Sequence, residues 1–410
     1  MSNKALWFWC VTLLFVCVRL VAAHTLPLTG DEAYYYLWAT QLDVGYFDHP
    51  PMVAWWIALT TALLPSSAIS VRLPAIVAST FIAWLLFTYA KREQSESKAL
   101  WLALSFQLLP FFHLGGVIMT PDTPLLLFYT LGFLLFIQLL QNDSITQWIG
   151  LGVVIGLGLL SKYTMILIVV SMMIVLIGRP KRHWRGFAVA LLVGFLVFLP
   201  TIIWNATHGW ASFLFQLEHG TSGAGVWFES FGGFWLAQML LLSPVYFVLL
   251  IAGLHRAMSL KPLSPSLVFA LFPLLFFSGF SFAGHPEAGW AAIAFVPGMW
   301  LVWQQSIVIS DVSWIRRWQA AVLVSVAFTL LLYALAYSGM FHAFGHVERL
   351  MKTVRSVEKK LPSCCTRLPV MTQHYWIASL YDYHLNTLKR AVGVAGFAHA
   401  RKSQFDFWKT

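Results

Sequence analysis

Two acids, Asp31 and Glu32, open the stretch LTGDEAYYYLWATQLDVGYFDHPP (Leu28–Pro51), which carries a third, Asp48, next to His49. A fourth, Asp122, lies between two prolines in TPDTP, and Lys162 sits in LSKYT. A carboxylate can accept a proton from an attacking hydroxyl, and an ammonium can hold a phosphate. Asp31, Asp122 and Lys162 together would therefore make an acid/base and phosphate-binding set. Each acid also has a plainer use. Asp31 could cap the short helix it opens, and Asp122 could be the N-cap of the helix that follows it. The chemical reading needs all three groups on one face, so it depends on the elements that carry them.

Those elements are made for lipid. Of 410 residues, 59% are hydrophobic and only 10% are charged, and long apolar runs recur along the chain with short polar breaks. This predicts an all-α polytopic membrane protein, since a helix needs about 20 apolar residues to cross the hydrocarbon. No alternating strands of a β-barrel are evident. The net charge of +10 falls in short loops rather than one stripe: Lys91, Arg92 and Lys98; Arg179, Lys181, Arg182 and Arg185; Arg256 and Lys261; Arg316 and Arg317. That is the positive-inside pattern, which places these loops in the cytoplasm and gives no reason to expect a nucleic-acid partner.

The apolar runs read as about eleven crossings, near 5–23, 68–90, 99–118, 123–141, 147–161, 164–178, 186–204, 231–253, 266–283, 289–309 and 318–338. The first reads as a retained helix rather than a signal peptide, being long for a signal core and carrying Arg19 near its far end. Pro50–Leu64 is apolar but short, and counting it as a span would turn every later basic loop outward. It is therefore laid along the outer interface, where Trp55 and Trp56 are at home. Residues 1–338 form the transmembrane domain, with 24–67 as its first external loop, and 339–410 a small external C-terminal region. Asp31, Asp122 and Lys162 then share the external face with His24, His49, His208, His219 and His285.

Other chemistries lack their motifs. There is no G-x-S-x-G, P-loop, H-E-x-x-H or dinucleotide fingerprint. The external histidines do not have metal-site spacing. No cofactor is called for, although a divalent cation between Asp31 and Asp122 stays open. Cys364 and Cys365 are neighbours, and a bridge between neighbours is strained, so no disulfide framework is expected.

The blocks GDEAYYYLW…GYFDHPPMVAWW, TPDTPLLLF, GLGLLSKYT and WNATHGWASFLFQLEHG, in that order, resemble polyprenyl-phosphate-sugar-dependent glycosyltransferases of the C-type membrane fold. The nearest group is similar to bacterial aminoarabinose transferases and to rhizobial galacturonosyltransferases of lipid A or lipopolysaccharide core. Protein O-mannosyltransferases are more distant. The resemblance implies an inverting transferase of the bacterial inner membrane, acting on the periplasmic side. Its partners would be a polyprenyl-phosphate-linked sugar, a lipid or glycolipid acceptor and membrane lipids. It implies catalytic roles for Asp31, Asp122 and Glu32 and a donor-phosphate contact for Lys162, while on physical grounds positive charge for the departing phosphate could also come from His49 or Arg72. Some relatives carry Lys where this chain has His49, a group that titrates near neutrality. Tyr34, Tyr35, Tyr46, Asp48, His208, Gln216 and His219 are expected at the substrate, although interfacial anchoring suits any single aromatic equally well. A protein O-glycosyltransferase of the same fold and a transporter of lipid-linked sugars are the alternatives.

The topology is directly testable. A reporter fused after Arg182 is expected to read cytoplasmic, and one fused after Lys360 external. A cytoplasmic tail would contradict the interfacial placement of Pro50–Leu64.

Overall fold

The structure is a computed structural model. It describes residues 2–221, 227–259, 263–308 apart from 283 and 285, 312–337, 370–372, 374–385, 391–393, 402–406 and 408. Cys364, Cys365, His285 and much of the expected C-terminal region lie outside the described residues.

Helix α1 (Asn3–Thr25) starts at a Ser2 cap and leads into the first long loop, which holds α2 (Gly30–Ala39) and α3 (Met52–Leu63). Then follow α4 (Ala68–Glu93), α5 (Glu96–Leu108), α6 (Pro110–Gly115), α7 (Asp122–Leu139), α8 (Ile145–Leu159), α9 (Ile166–Leu176) and α10 (Lys181–Thr207). The second half holds α11 (Ala211–Thr221), α12 (Trp227–Leu242), α13 (Pro244–Met258), α14 (Pro265–Phe280), α15 (Phe295–Val308) and α16 (Val312–Tyr337). In the tail, α17 (Tyr375–Leu385) accompanies two short parallel strands, β1 (Val370–Thr372) and β2 (Ala391–Gly393).

Among the described residues each apolar run marked in the sequence is largely helical, but not all are straight spans. Among the described residues α1, α4, α7, α10 and α16 are long and apolar enough to cross a membrane. The run at 231–253 is instead α12 and α13, bent by 107° at Ser243, whose φ is 70°. The run at 99–118 breaks between α5 and α6. Pro244 and Pro110 stand at these breaks, and proline lacks the N–H and clashes with the preceding turn. Met52–Leu63, Ile145–Leu159, Tyr163–Leu176 and Pro265–Phe280 are shorter apolar helices. The eleven runs are thus a mixture of straight, short and broken helices.

The main core packs α4, α5, α7 to α9 and α13 to α16 around buried Trp148, Trp300, Trp303 and Trp318. A second core belongs to the loop that follows α1. Tyr34, Trp38 and Tyr46 join Ala75 of α4, Met119, Ala378 and Tyr381 of α17, and Phe405. The tail therefore packs into the loop. Gly30 permits this approach, because a Cβ there would lie 2.6 Å from the Cβ of Trp376.

One buried ion pair fixes the loop to the membrane helices. Thr29 and Glu32 form a capping box at the start of α2, with the Glu32 carboxylate accepting from the Thr29 N–H. The same carboxylate takes Arg72 Nε at 2.7 Å and Nη2 at 2.6 Å, and the Met119 N–H at 3.2 Å. Arg72 turns its remaining donors to the carbonyls of Ala23, Leu26 and Pro27, at the end of α1. Both side chains are shut off from solvent. Replacing one partner leaves an uncompensated buried charge, which costs about 3–5 kcal/mol. Arg72→Met is therefore expected to lower thermal stability by that amount in calorimetry, whereas Arg92→Met, at an exposed position, should change it little.

Candidate active site

The acids and the lysine take up positions that the plainer readings do not use. Asp122 is the first residue of α7, yet the cap position belongs to Pro121 and no side chain caps this helix. Both Asp122 oxygens instead receive Lys162 Nζ, at 2.8 and 3.0 Å. Lys162 leaves the end of α8 in extended backbone and is buried, while Asp122 keeps 31% of its side chain exposed. Its ammonium also stands 6.0 Å from the ring centre of Trp290. Asp31 likewise is not the cap of α2, because Thr29 and Glu32 do that work. It is exposed, and its Oδ1 accepts from the Tyr375 hydroxyl of α17 at 2.8 Å.

Tyr35 lies among these groups. Its hydroxyl is pushed well above the usual tyrosine value, first by burial, then by the fields of Asp31, Tyr375, Asp48 and Glu287. A phenol held in the protonated form can donate a hydrogen bond into this acidic setting. Asp48 is buried and accepts from the Tyr34 hydroxyl at 2.7 Å. Gln216 reaches in from α11, donating to the Asp48 carbonyl at 2.6 Å with His49 Nδ1 at 3.4 Å.

Glu287 belongs to the same group and escaped the sequence reading. Its Oε1 lies 3.1 Å from His219 Nε2, and its Oε2 accepts from Trp290 Nε1 at 3.0 Å. The hydrogen bond with His219, helped by the charges of Lys162, His219 and His49 and opposed by burial, brings its carboxyl down to about 2. The available signal was GHPEAGW, an acid in an external turn just ahead of a tryptophan. Tyr375 and Gln404 had no such signal, since only the fold brings them to a loop more than 340 residues away in sequence.

Several expected site residues turn out to be structural. Glu32 is fully buried with its oxygens engaged by Arg72 and backbone N–H groups, so it is corrected from catalysis to the clamp. All five N–H donors of Arg72 are used there, so none remains for a phosphate. Tyr34 is buried, its hydroxyl held between Asp48 and the Gln404 N–H. Tyr46 stacks on Trp38 at 4.5 Å, and its hydroxyl is occupied by the backbone of Trp38, Gln41 and Asp43. His208 stacks on Trp204 at the end of α10. Lys162, His49, Gln216 and His219 do gather beside Asp48, Asp122 and Glu287.

A divalent cation fits this arrangement poorly. Both oxygens of Asp122 already face an ammonium, where a metal would have to sit. Among the described residues no three His, Cys, Asp or Glu side chains group as a metal site.

Two apolar cavities have residues of this group in their walls. One, of ≈ 530 Å³, runs between α4, α6, α7, α12 and α16 and has Asp122 in its wall. The other, of ≈ 610 Å³, runs between α8, α9, α10 and α14 and has Gln216 and Trp290 in its wall.

The overall fold is shared with ArnT of known structure. ArnT from Cupriavidus metallidurans has a TM-score of 0.68 to this chain at 17% identity, covering 98% of this chain and 87% of that one. The same protein bound to undecaprenyl phosphate also matches at 0.68, with 16% identity and 99% and 88% coverage. In sequence, residues 48–204 match the family described as dolichyl-phosphate-mannose-protein mannosyltransferase. The chain is also 32% identical over 181 residues to the lipid A galacturonosyltransferase RgtD of Rhizobium johnstonii, covering 43% of this chain and 38% of RgtD. With the lipopolysaccharide core galacturonosyltransferase RgtA of the same organism it shares 26% over 222 residues, covering 51% and 44%. The matched stretch is thus less than half the length of these curated relatives.

The lowered pKa of Glu287 has a sign that can be checked. A depressed carboxyl contributes stability above its ordinary 4.5, and that contribution is lost as pH falls toward about 2. The difference in melting temperature between wild type and Glu287→Gln is therefore expected to be full at pH 6 and to close on acidification through this window. A difference independent of pH would contradict the assignment.

Proposed function

We propose that this protein transfers a sugar from a polyprenyl phosphate to a lipid-borne envelope acceptor on the periplasmic face of the bacterial inner membrane. The observation that carries this reading is a buried ammonium, Lys162, paired with Asp122, which lines one apolar cavity, and standing 6.0 Å from the ring of Trp290, which lines another. That is what a reaction between two substrates, each carrying an apolar chain, would need. The relatedness to lipid A and core galacturonosyltransferases, and the undecaprenyl phosphate bound by a protein of the same fold, support it. By analogy with those relatives, lipid A or lipopolysaccharide core is the acceptor class.

The chemistry is a single displacement. An acceptor hydroxyl oxygen attacks the anomeric carbon and its proton passes to Asp31, which Tyr375 holds in place. The bond from the anomeric carbon to the phosphate oxygen breaks, with its electron pair leaving on the phosphate. That leaving group needs no proton, only positive charge as it forms, and Lys162 supplies it with His49 nearby. Attack opposite the departing phosphate inverts the anomeric centre. His219 and Glu287 keep the pocket polar on the acceptor side, and Gln216 holds the Asp48–His49 segment.

Nucleotide sugars are made and used on the cytoplasmic side, where this chain presents short basic loops. Protein purified into lipid is therefore expected to transfer sugar from a polyprenyl-phosphate donor and to ignore UDP-, GDP- and CMP-sugars. Transfer from a nucleotide sugar without a lipid carrier would overturn the proposal. Solute flux with no change in product mass would point to transport instead.

A further inference from the structure

The pocket holds carboxylates that the transfer step does not use. Asp31 takes the proton and Asp122 matches Lys162, whereas Glu287 handles neither proton nor phosphate. Asp48 is buried and held by the Tyr34 hydroxyl, but Glu287 keeps 61% of its side chain exposed. It stands against the groups of the site all the same. Its Oε2 accepts from Nε1 of Trp290, and Lys162 Nζ lies 6.0 Å from that ring. Its Oε1 faces His219 Nε2 at 3.1 Å. Each oxygen thus has one partner and room for a second. The hydrogen bond with His219 and the field of Lys162 bring the carboxyl to about 2, so Glu287 is an anion at neutral pH. His219 balances that charge only when it is itself protonated.

A second group points to a ligand. Tyr35 is 7% exposed, and among the described residues no hydrogen bond engages its hydroxyl. A buried phenol ordinarily finds a partner, and Tyr34, one residue earlier, has two. The Tyr35 hydroxyl lies within the fields of Asp31, Tyr375, Asp48 and Glu287, and its ring centre is 6.2 Å from that of His49. On the transfer reaction proposed above, the sugar lies between the hydroxyl that Asp31 deprotonates and the phosphate that Lys162 holds. We propose that Glu287 selects this sugar by charge, accepting from a hydroxyl or ammonium substituent and turning away a sugar that carries its own carboxylate. The substrate class is then a neutral or amino sugar and not a uronic acid, with Tyr35 donating its unused O–H to the same ring. A uronic acid would set a second carboxylate beside Glu287, where Lys162 is already committed to Asp122 and to the departing phosphate. Such an unfavourable charge pair discriminates between sugars of one shape without any new contact. Glu287 lies outside residues 48–204, the stretch matched to the transferase family, so the filter belongs to this chain's own turn ahead of Trp290.

The test measures direct binding to purified full-length protein in detergent. Undecaprenyl phosphate is the reference, and its galactosyl, galactosaminyl and galacturonosyl derivatives are the probes. The amino and uronic sugars each differ from galactose in a single group. Wild type is expected to bind the galactosyl and galactosaminyl forms about tenfold or more tightly than the galacturonosyl form, the effect of one partly screened like-charge contact. Glu287→Gln keeps the size and an oxygen for Trp290, and it should tighten galacturonosyl binding until the gap closes. Glu287→Asp should retain the gap. Added salt should narrow it in wild type, because the carboxylate is exposed. A gain of affinity in Glu287→Gln cannot come from misfolding. Galacturonosyl binding as tight as galactosyl binding in wild type, or a gap unchanged in Glu287→Gln, would overturn the charge filter while leaving the polyprenyl-phosphate reading in place. Failure of undecaprenyl phosphate and all three of its sugars to bind would overturn that reading, and the filter with it.

Discussion

The Glu32–Arg72 pair is the constraint on which the end of the molecule around α2 is built. One carboxylate closes the first turn of α2, receives two nitrogens of a guanidinium rooted in α4, and accepts the N–H of Met119 ahead of α7. The guanidinium, in turn, gathers three carbonyls at the end of α1. Three helices and an intervening turn are thus tied at one point inside a low-dielectric interior, where both charges are fully matched. With Glu32 committed to the clamp, its neighbour Asp31 is directed outward at the rim, and Asp122 begins α7 only a few residues beyond Met119. The pair does no chemistry, but it determines where the groups proposed to do chemistry can stand.

The second constraint comes from the tail. Tyr375 donates to Asp31, Trp376 occupies the space that Gly30 leaves open, and Gln404 bridges Tyr34 and the Phe47 N–H. On the proposed reading, the residues that steady the base come from the far end of the chain, and those that handle the leaving phosphate come from α7 and α8. One apolar cavity has Asp122 in its wall and the other Gln216 and Trp290, and on the proposed reading these would admit the chains of membrane-borne substrates.

The helical membrane architecture was legible because lipid imposes it locally: composition and the placement of basic loops reveal apolar runs without any knowledge of packing. The breaks were harder to see. Pro110 and Pro244 were visible, but whether a proline kinks a helix or splits it depends on what packs around it, and the bend at Ser243 is a tertiary outcome. Asp122 and Lys162 stood out in the sequence, with Asp31, as charges in an apolar chain, but their pairing with each other is shown only by the fold. Arg72 and Glu32 looked the same by that criterion and proved to be structural, since sequence does not reveal that five donors and two carboxylate oxygens have been matched. Tyr34 and Tyr46 illustrate the same limit: an aromatic beside a site can face the substrate or the core, and burial decides. Glu287, Tyr375 and Gln404 are brought in by long-range folding and lie far from the motif that announces the site.

The central claim is that Asp31, held at the rim by the clamp beside it, takes the proton from the attacking hydroxyl. Single-turnover transfer by Asp31→Asn in lipid, with donor binding measured on the same sample, tests it most directly, because asparagine keeps the size and polarity but cannot act as the base. The account predicts donor binding like that of wild type and transfer slowed by about 10²–10⁴-fold, the usual worth of a general base. Transfer at the wild-type rate with donor bound would contradict it.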